Sequence, residues 1–135
     1  MPISTAGILE SALPTAVYRY YAGLLVETEQ EETRPGLLGG RAVIRKMPMG
    51  VIAAIVQWNY PNLITAAKLA PALAAGCTAV LKPSPETILD SYLLAEAATS
   101  AGVPAGVINI VPGGTQTGQY LVCLLYTSDA ADERS

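Results

Sequence analysis

The 135-residue chain contains no histidine. Catalysis by an imidazole base and zinc sites built on imidazole are therefore excluded within it. Cysteine is nearly as scarce: Cys77 and Cys123 lie far apart and unframed, which offers neither a disulfide scaffold nor metal-ligand spacing. Charge is sparse too, at 14% of residues against 51% apolar, with a mean hydropathy of +0.37. A net charge of −3 provides no basic footprint, so nucleic acid is not an expected partner. The longest apolar run, residues 63–81, is broken by Lys68, Pro71 and Gly76, and no membrane span is expected. No charged-then-apolar stretch opens the sequence, and a reducing, cytoplasmic setting is expected. The length supports one domain-sized core, as a single domain or a piece of a larger one. A chain this apolar at this size points to a missing cover or to a partner surface.

What is present is organised around residues 50–86. Gly-Val-Ile-Ala-Ala-Ile-Val at 50–56 is uncharged and rich in β-branched residues, the pattern of a strand buried on both faces of a parallel sheet. The chain then turns polar at Gln57, Trp58, Asn59, Tyr60 and Pro61. Residues 62–75 are rich in Ala and Leu and predict a helix, which Gly76 ends as a C′ residue. A second buried strand follows at 77–81, then a second polar turn, Lys82-Pro83-Ser84-Pro85-Glu86. A helical crossover between parallel strands returns the chain to its starting side, so both polar turns belong to one edge of the sheet. Open α/β sheets bind their ligands at that edge.

The flanking segments extend the pattern. Ser4 and Thr5 are placed to cap a helix from Ala6, with Ile8, Leu9, Ala12, Leu13 and Ala16 at helical spacing until Pro14 interrupts them. A second helical stretch, 15–25, carries Tyr18, Tyr20 and Tyr21, which read as core packing. Residues 27–34, with Glu27, Glu29, Glu31 and Glu32, read as a solvated acidic connector, and Pro35-Gly36 with Gly39-Gly40 as turns. Residues 41–47 have the mixed polarity of a half-exposed strand. After the organising stretch, 87–100 reads as an amphipathic helix whose buried stripe is Ile88, Leu89, Tyr92, Leu93 and Ala97, closed by Gly102. A third apolar strand spans 107–111, and Pro112-Gly113-Gly114 leads into a helix from Thr115. The order β-α-β-α-β-α predicts an α/β fold: a partial doubly wound, Rossmann-like parallel sheet preceded by N-terminal helices.

Residues 123–135 change character. Cys-Leu-Leu-Tyr-Thr-Ser-Asp-Ala-Ala-Asp-Glu resembles one reading frame of a transposon-end sequencing adapter and is expected to be non-native. The competing reading is an ordinary helix continuation with a polar end. Three parts are thus expected: 1–47 (helices and connecting strand), 48–122 (part of a nucleotide-binding domain) and the 123–135 tail.

The motifs at the polar edge resemble the aldehyde dehydrogenase superfamily. They are Pro48-Met49-Gly50-Val51, Trp58-Asn59-Tyr60-Pro61, residues 69–77 (Leu-Ala-Pro-Ala-Leu-Ala-Ala-Gly-Cys), Leu81-Lys82-Pro83-Ser84, and residues 102–109 (Gly-Val-Pro-Ala-Gly-Val-Ile-Asn). Together the motifs are specific, and none would be so alone. The resemblance implies NAD(P)-dependent oxidation of an aldehyde to a carboxylic acid through a thiohemiacetal on a cysteine. Asn59 stands where that family supplies an amide donor to the oxyanion; on the residues alone the favoured reading is that it satisfies backbone groups at a helix start, and the resemblance reverses that preference. Lys82 resembles the lysine that hydrogen-bonds the adenine ribose, with Trp58, Ser84 and Glu86 around the same cofactor. Many NAD-dependent members carry a glutamate three residues after this lysine; here Pro85 stands there and Glu86 follows, which leaves NAD or NADP open. Gly113, Gly114 and Gly118 resemble the glycine turn that lets backbone approach the dinucleotide. Gln57 departs from the proline common before the Trp-Asn pair.

The nucleophilic cysteine, the glutamate base and the later Gly-Ser turn of that family have no counterpart here. Cys77 aligns with a buried core position, where a neutral thiol is not a nucleophile. The reading is a fragment of an enzyme, inactive alone, whose parent is a homo-oligomer acting on an aldehyde. The alternatives are a stand-alone nucleotide-binding module and a partner-docking α/β module, both without catalysis.

Overall fold

The computed structural model describes residues 3–124. The chain begins in helix: α1 (Ile3–Gly7), a π turn (Ile8–Ala12) and α2 (Leu13–Glu27) follow one another without a break. Ser4 and Thr5 lie inside α1 instead of capping it. The expected interruption at Pro14 is a widened turn. Proline has no N–H to donate, and its ring would strike the carbonyl four residues earlier, that of Glu10. The helix absorbs both by opening to π geometry, with the Leu13 N–H reaching back to the Ile8 carbonyl.

The segment expected to be an acidic connector is a strand. β1 (Glu31–Pro35) pairs antiparallel with β2 (Arg41–Arg45), Glu31 opposite Arg45. Arg45 meets Glu31 at 2.7 Å, and Arg34 meets Glu32 at 2.7 Å. These exposed pairs add little stability; Arg34–Glu32 lies within β1, and only Glu31–Arg45 crosses the hairpin, where a one-residue slip would separate the opposite charges. Gly39 and Gly40, at φ +88° and +81°, make the turn where a side chain would be strained.

The nucleotide-binding pattern is realised as a three-stranded parallel sheet in the order β3-β4-β5, formed by β3 (Val51–Ile55), β4 (Thr78–Lys82) and β5 (Ile108–Ile110). The crossovers are α3 (Pro61–Ala74) and α4 (Ile88–Ser100), the latter entered through a short 3₁₀ turn, Pro85–Thr87, and α5 (Thr115–Cys123) follows β5. α3 ends as its sequence predicts. Gly76, at φ +82°, donates to Leu73 O, and Cys77 N–H reaches Ala72 O at 2.9 Å. The tail read as non-native lies outside the described residues except for Cys123 and Leu124, and α5 runs through Cys123.

Ala54, Val56, Leu69, Ala79 and Leu81 form the core, with Tyr18, Ile64 and Leu94 packed against it. Side chains alternate across a strand, so Ala79 and Leu81 face α3 while Val80 and Lys82 face the other side. There Lys82 lies against α5, its Cε 3.6 Å from where a Cβ on Gly118 would stand. Helices therefore cover both faces of the sheet, as the doubly wound reading requires.

Two burial expectations are corrected. β3 is not buried on both faces, since Val51 is 53% and Ile55 37% exposed; the face bearing Ile52 and Ala54 is the covered one. In α4 the expected stripe points outward: Leu89 is 73%, Leu93 63% and Tyr92 47% exposed, and Ala97 is exposed too. Ser91 is buried instead and Leu94 packs on the core. The helix is apolar on every side, so its sequence cannot say which side meets the sheet.

Tyr18 joins the core from α2 with its hydroxyl buried and, among the described residues, unpartnered. Burial pushes its pKa from 10.0 up to about 12. Because the native state holds this proton more tightly, the contribution is complete below about pH 10 and is lost as pH rises toward 12. Replacing Tyr18 by Phe removes an unpaired polar atom, and thermal unfolding should show stabilisation of about 1 kcal/mol, growing above pH 10. A loss of stability would mean that the hydroxyl is paired.

Candidate active site

The three parallel strands end level. Ile55 pairs with Lys82 and Leu81 with Ile110, and backbone bonds continue past the ends, Val56 N–H to Lys82 O at 3.0 Å and Val111 N–H to Leu81 O at 2.9 Å. Residues 57–60, Lys82 to Glu86 and residues 111–114 therefore leave the sheet along one rim. Asn59, Lys82 and Gly113 share that rim, as the sequence reading required.

Asn59 is exposed and does not cap α3. The capping position belongs to Tyr60, which makes no side-chain cap, and the Asn62 N–H of the first turn is taken by the Glu10 carboxylate at 2.8 Å. Among the described residues the Asn59 amide has no hydrogen-bond partner, so its N–H donors face outward from a fixed helix start. Trp58, on the same loop, is 65% exposed.

Lys82 is only 6% exposed, and its ammonium donates to Pro83 O at 3.1 Å. An ammonium has three donors; among the described residues the other two have no acceptor. Buried Ser84 donates its hydroxyl to the Glu86 carboxylate. That bond, with a backbone N–H and the charge of Lys82, holds the Glu86 carboxyl below its ordinary pKa. The rim thus offers ammonium donors beside one ionised, exposed acceptor, a donor set suited to the hydroxyls of a ribose.

The glycines divide by role. A Cβ on Gly113 would stand 2.6 Å from the Thr117 Cβ, so the turn into α5 needs the bare backbone there. At Gly118 a Cβ would meet the Lys82 stem at 3.6 Å, an ordinary contact, so packing against Lys82 does not require glycine there. Gly114 has open space around it and no steric requirement for glycine. Cys77 is 5% exposed and precedes β4, which places it at the opposite edge of the sheet from Asn59. It cannot serve a reaction at the rim.

Two features escaped the sequence reading. One is the tie between Glu10 and Asn62. The other is a cavity of about 290 Å³ behind α3, lined by Glu10, Tyr18, Asn62, Thr65 and Asp90. The only sequence signal for the first is Pro14, four residues after Glu10, which marks a freed carbonyl.

A sequence model of the aldehyde dehydrogenase family matches residues 2–124. The chain belongs to the aldehyde dehydrogenase family. It is 52% identical over 122 residues to geranial dehydrogenase of Castellaniella defragrans, an alignment that covers 90% of this chain and 26% of that protein. It is 50% identical over 103 residues to 4-trimethylaminobutyraldehyde dehydrogenase of Pongo abelii, covering 76% of this chain and 20% of the relative. Its fold is similar to that of the Mycobacterium tuberculosis aldehyde dehydrogenase crystallised with NAD⁺, with a TM-score of 0.86 at 39% identity over 93% of this chain and 26% of that one. This aldehyde dehydrogenase chain therefore spans about a quarter of the length of the relatives it matches. Its helices, hairpin and three-stranded sheet are the part of the family fold that it carries.

Proposed function

We propose that this chain is part of an NAD(P)-dependent aldehyde dehydrogenase that oxidises an aldehyde to a carboxylic acid. The observation that supports this most directly is the meeting of Asn59, Lys82 and Gly113 on one carboxyl rim of a parallel sheet. Nicotinamide dinucleotide, when bound, supplies the two-electron acceptor for the aldehyde. Lys82 and Ser84 would hold the ribose, Gly113 and Gly118 would permit close backbone approach, and Trp58 would flank the cofactor. Glu86 would accept from a ribose hydroxyl. Its negative charge also repels a 2′-phosphate, which favours NAD over NADP.

Asn59 acts on the substrate. As a thiol adds to the aldehyde carbon, charge grows on the carbonyl oxygen, and a preorganised amide N–H stabilises it without adding a charge of its own. Neither thiol of this chain serves: Cys77 lies buried at the other edge, and Cys123 ends α5, the helix that starts at the rim and runs away from it, so the nucleophile is supplied by sequence beyond this chain.

The experiment is to express the longer reading frame that carries residues 3–124 and to follow NAD reduction with a panel of aldehydes, alongside the 135-residue chain alone. The longer protein should turn over aldehydes, and the chain alone should not. The short chain should also show no saturable quenching of Trp58 at micromolar NAD, because ribose-side contacts alone bind weakly. Micromolar binding by the short chain would instead favour a self-sufficient nucleotide-binding module.

A further inference from the structure

The start of α3, where the Asn59 loop enters the helix, is fixed from a distance of 52 residues in sequence. Pro14 has no N–H, so the carbonyl of Glu10 loses the helical partner it would otherwise have. The π turn at Ile8–Ala12 carries Glu10 out toward α3. Asn62 then meets it twice: its backbone N–H donates to Glu10 Oε2 at 2.8 Å, and its side-chain amide makes a longer contact of 3.4 Å to the freed Glu10 carbonyl. Pro61 opens α3 at its first position and has no N–H, which leaves the Asn62 N–H as the first orphan donor of the helix. A carboxylate there is favoured by the helix dipole as well as by the hydrogen bond. The other Glu10 oxygen is buried and, among the described residues, unpartnered; Glu10 also lines the cavity behind α3.

We infer that Glu10 is a positioning residue for the oxyanion donor: through Asn62 it sets the entry of α3, and with it the direction of the Asn59 amide. The inference rests on the role proposed for Asn59. π turns recur at functional sites because they aim one side chain out of register with its helix, and here the aimed group is Glu10. Ile64 packs the first turn of α3 on the core, but among the described residues no other residue's side chain hydrogen-bonds that turn, so the clamp at Glu10 adds the directional constraint on the exit of the loop at 57–60.

The test uses the full-length protein and four variants: Glu10→Ala, Glu10→Gln, Asn59→Ala and the double variant Glu10→Ala/Asn59→Ala. Glu10→Ala should lower kcat by about tenfold or more, as expected for misplacing a catalytic group, while the Kd for NAD stays within about twofold. Gln retains an acceptor for the Asn62 N–H and should restore most of the loss. On the Asn59→Ala background, Glu10→Ala should cost less than about twofold, because groups that act as a unit are non-additive. Hydrogen exchange over residues 60–64 should speed up in Glu10→Ala and not in Glu10→Gln. A full multiplicative loss in the double variant overturns the inference, as does a lowered Tm with kcat unchanged. Unchanged exchange at 60–64 overturns the clamp itself, whatever the activity. A protein that fails to oxidise aldehydes, or an Asn59→Ala variant with full kcat, instead defeats the proposed function while the exchange measurement still judges the clamp.

Discussion

Replacing Asn59 by Ala in the full-length enzyme should lower kcat by about 10²–10³-fold, or roughly 2.7–4 kcal/mol of transition-state stabilisation, the range measured for removing one oxyanion-hole donor. The loss should fall on kcat and not on binding. The amide is asked to donate to an oxygen that carries charge only after the thiol has added, so it contributes little to the bound aldehyde. The cofactor's Kd should hold, because the ribose subsite proposed at Lys82, Ser84 and Glu86 lies on the neighbouring strand end. Asn59→Asp is the sharper variant. It keeps size and shape but places a negative charge, and no N–H, where the oxyanion develops, and it should be slower still than Asn59→Ala. Burst kinetics with NAD absorbance separates the chemical step from product release. A fall in kcat of less than about tenfold, or a loss carried entirely by KM, would sink the oxyanion role.

The sheet was legible in the sequence because its signals are local. Residues 50–56, 77–81 and 107–111 are short apolar runs, and Gly76 and Gly102 end the helices between them through the positive φ that glycine supplies. Once the elements alternate, parallel pairing and a common rim follow from the handedness of the crossovers. Asn59, Lys82 and Gly113 therefore fall together on that rim from the order of the elements alone. Features that depend on pairing between distant positions were not legible. β1 looks like an acidic connector until Arg41 to Arg45 lies beside it, and only then does Glu31 opposite Arg45 make sense of the charges. α4 is apolar all round, so its buried face is chosen by the sheet beneath it and not by its own period.

The site divides along the same line. The residues proposed to face a ligand carry motif signals, while the residue that ties down α3 does not. Glu10 is an unremarkable acid in a helix until the chain brings Asn62 to it. Pro14 reads as a break in the sequence because proline usually ends a helix. Here the helix widens and continues, and the freed carbonyl is used elsewhere. Gly114 belongs to the same glycine-rich pattern and has open space around it, so no protein neighbour accounts for its being glycine.

The rim is only as rigid as the strand that carries it, and Leu81 is the residue on which that depends most. It is fully buried at the carboxyl end of the central strand, between Ala54 and Ile110 in register and packed on the core with Leu69. Leu81→Ala removes three buried carbons from a site hemmed in by backbone on both sides, where neighbouring strands cannot collapse into the space. The cost should therefore be about 2–5 kcal/mol, the range for large-to-small truncation in a core. Read by hydrogen exchange, the opening free energy of the amides at Thr78–Lys82 should fall by that amount, and those of α3 with it, because Leu69 loses the same contact. Lys82 is the next residue along, so cofactor affinity should fall in parallel even though the substitution touches no polar group. Leu81→Met keeps most of the volume and should cost less than about 1.5 kcal/mol. Unchanged protection across β4 in the alanine variant would show that the strand is held by something other than this core, and the level rim would then need another physical cause.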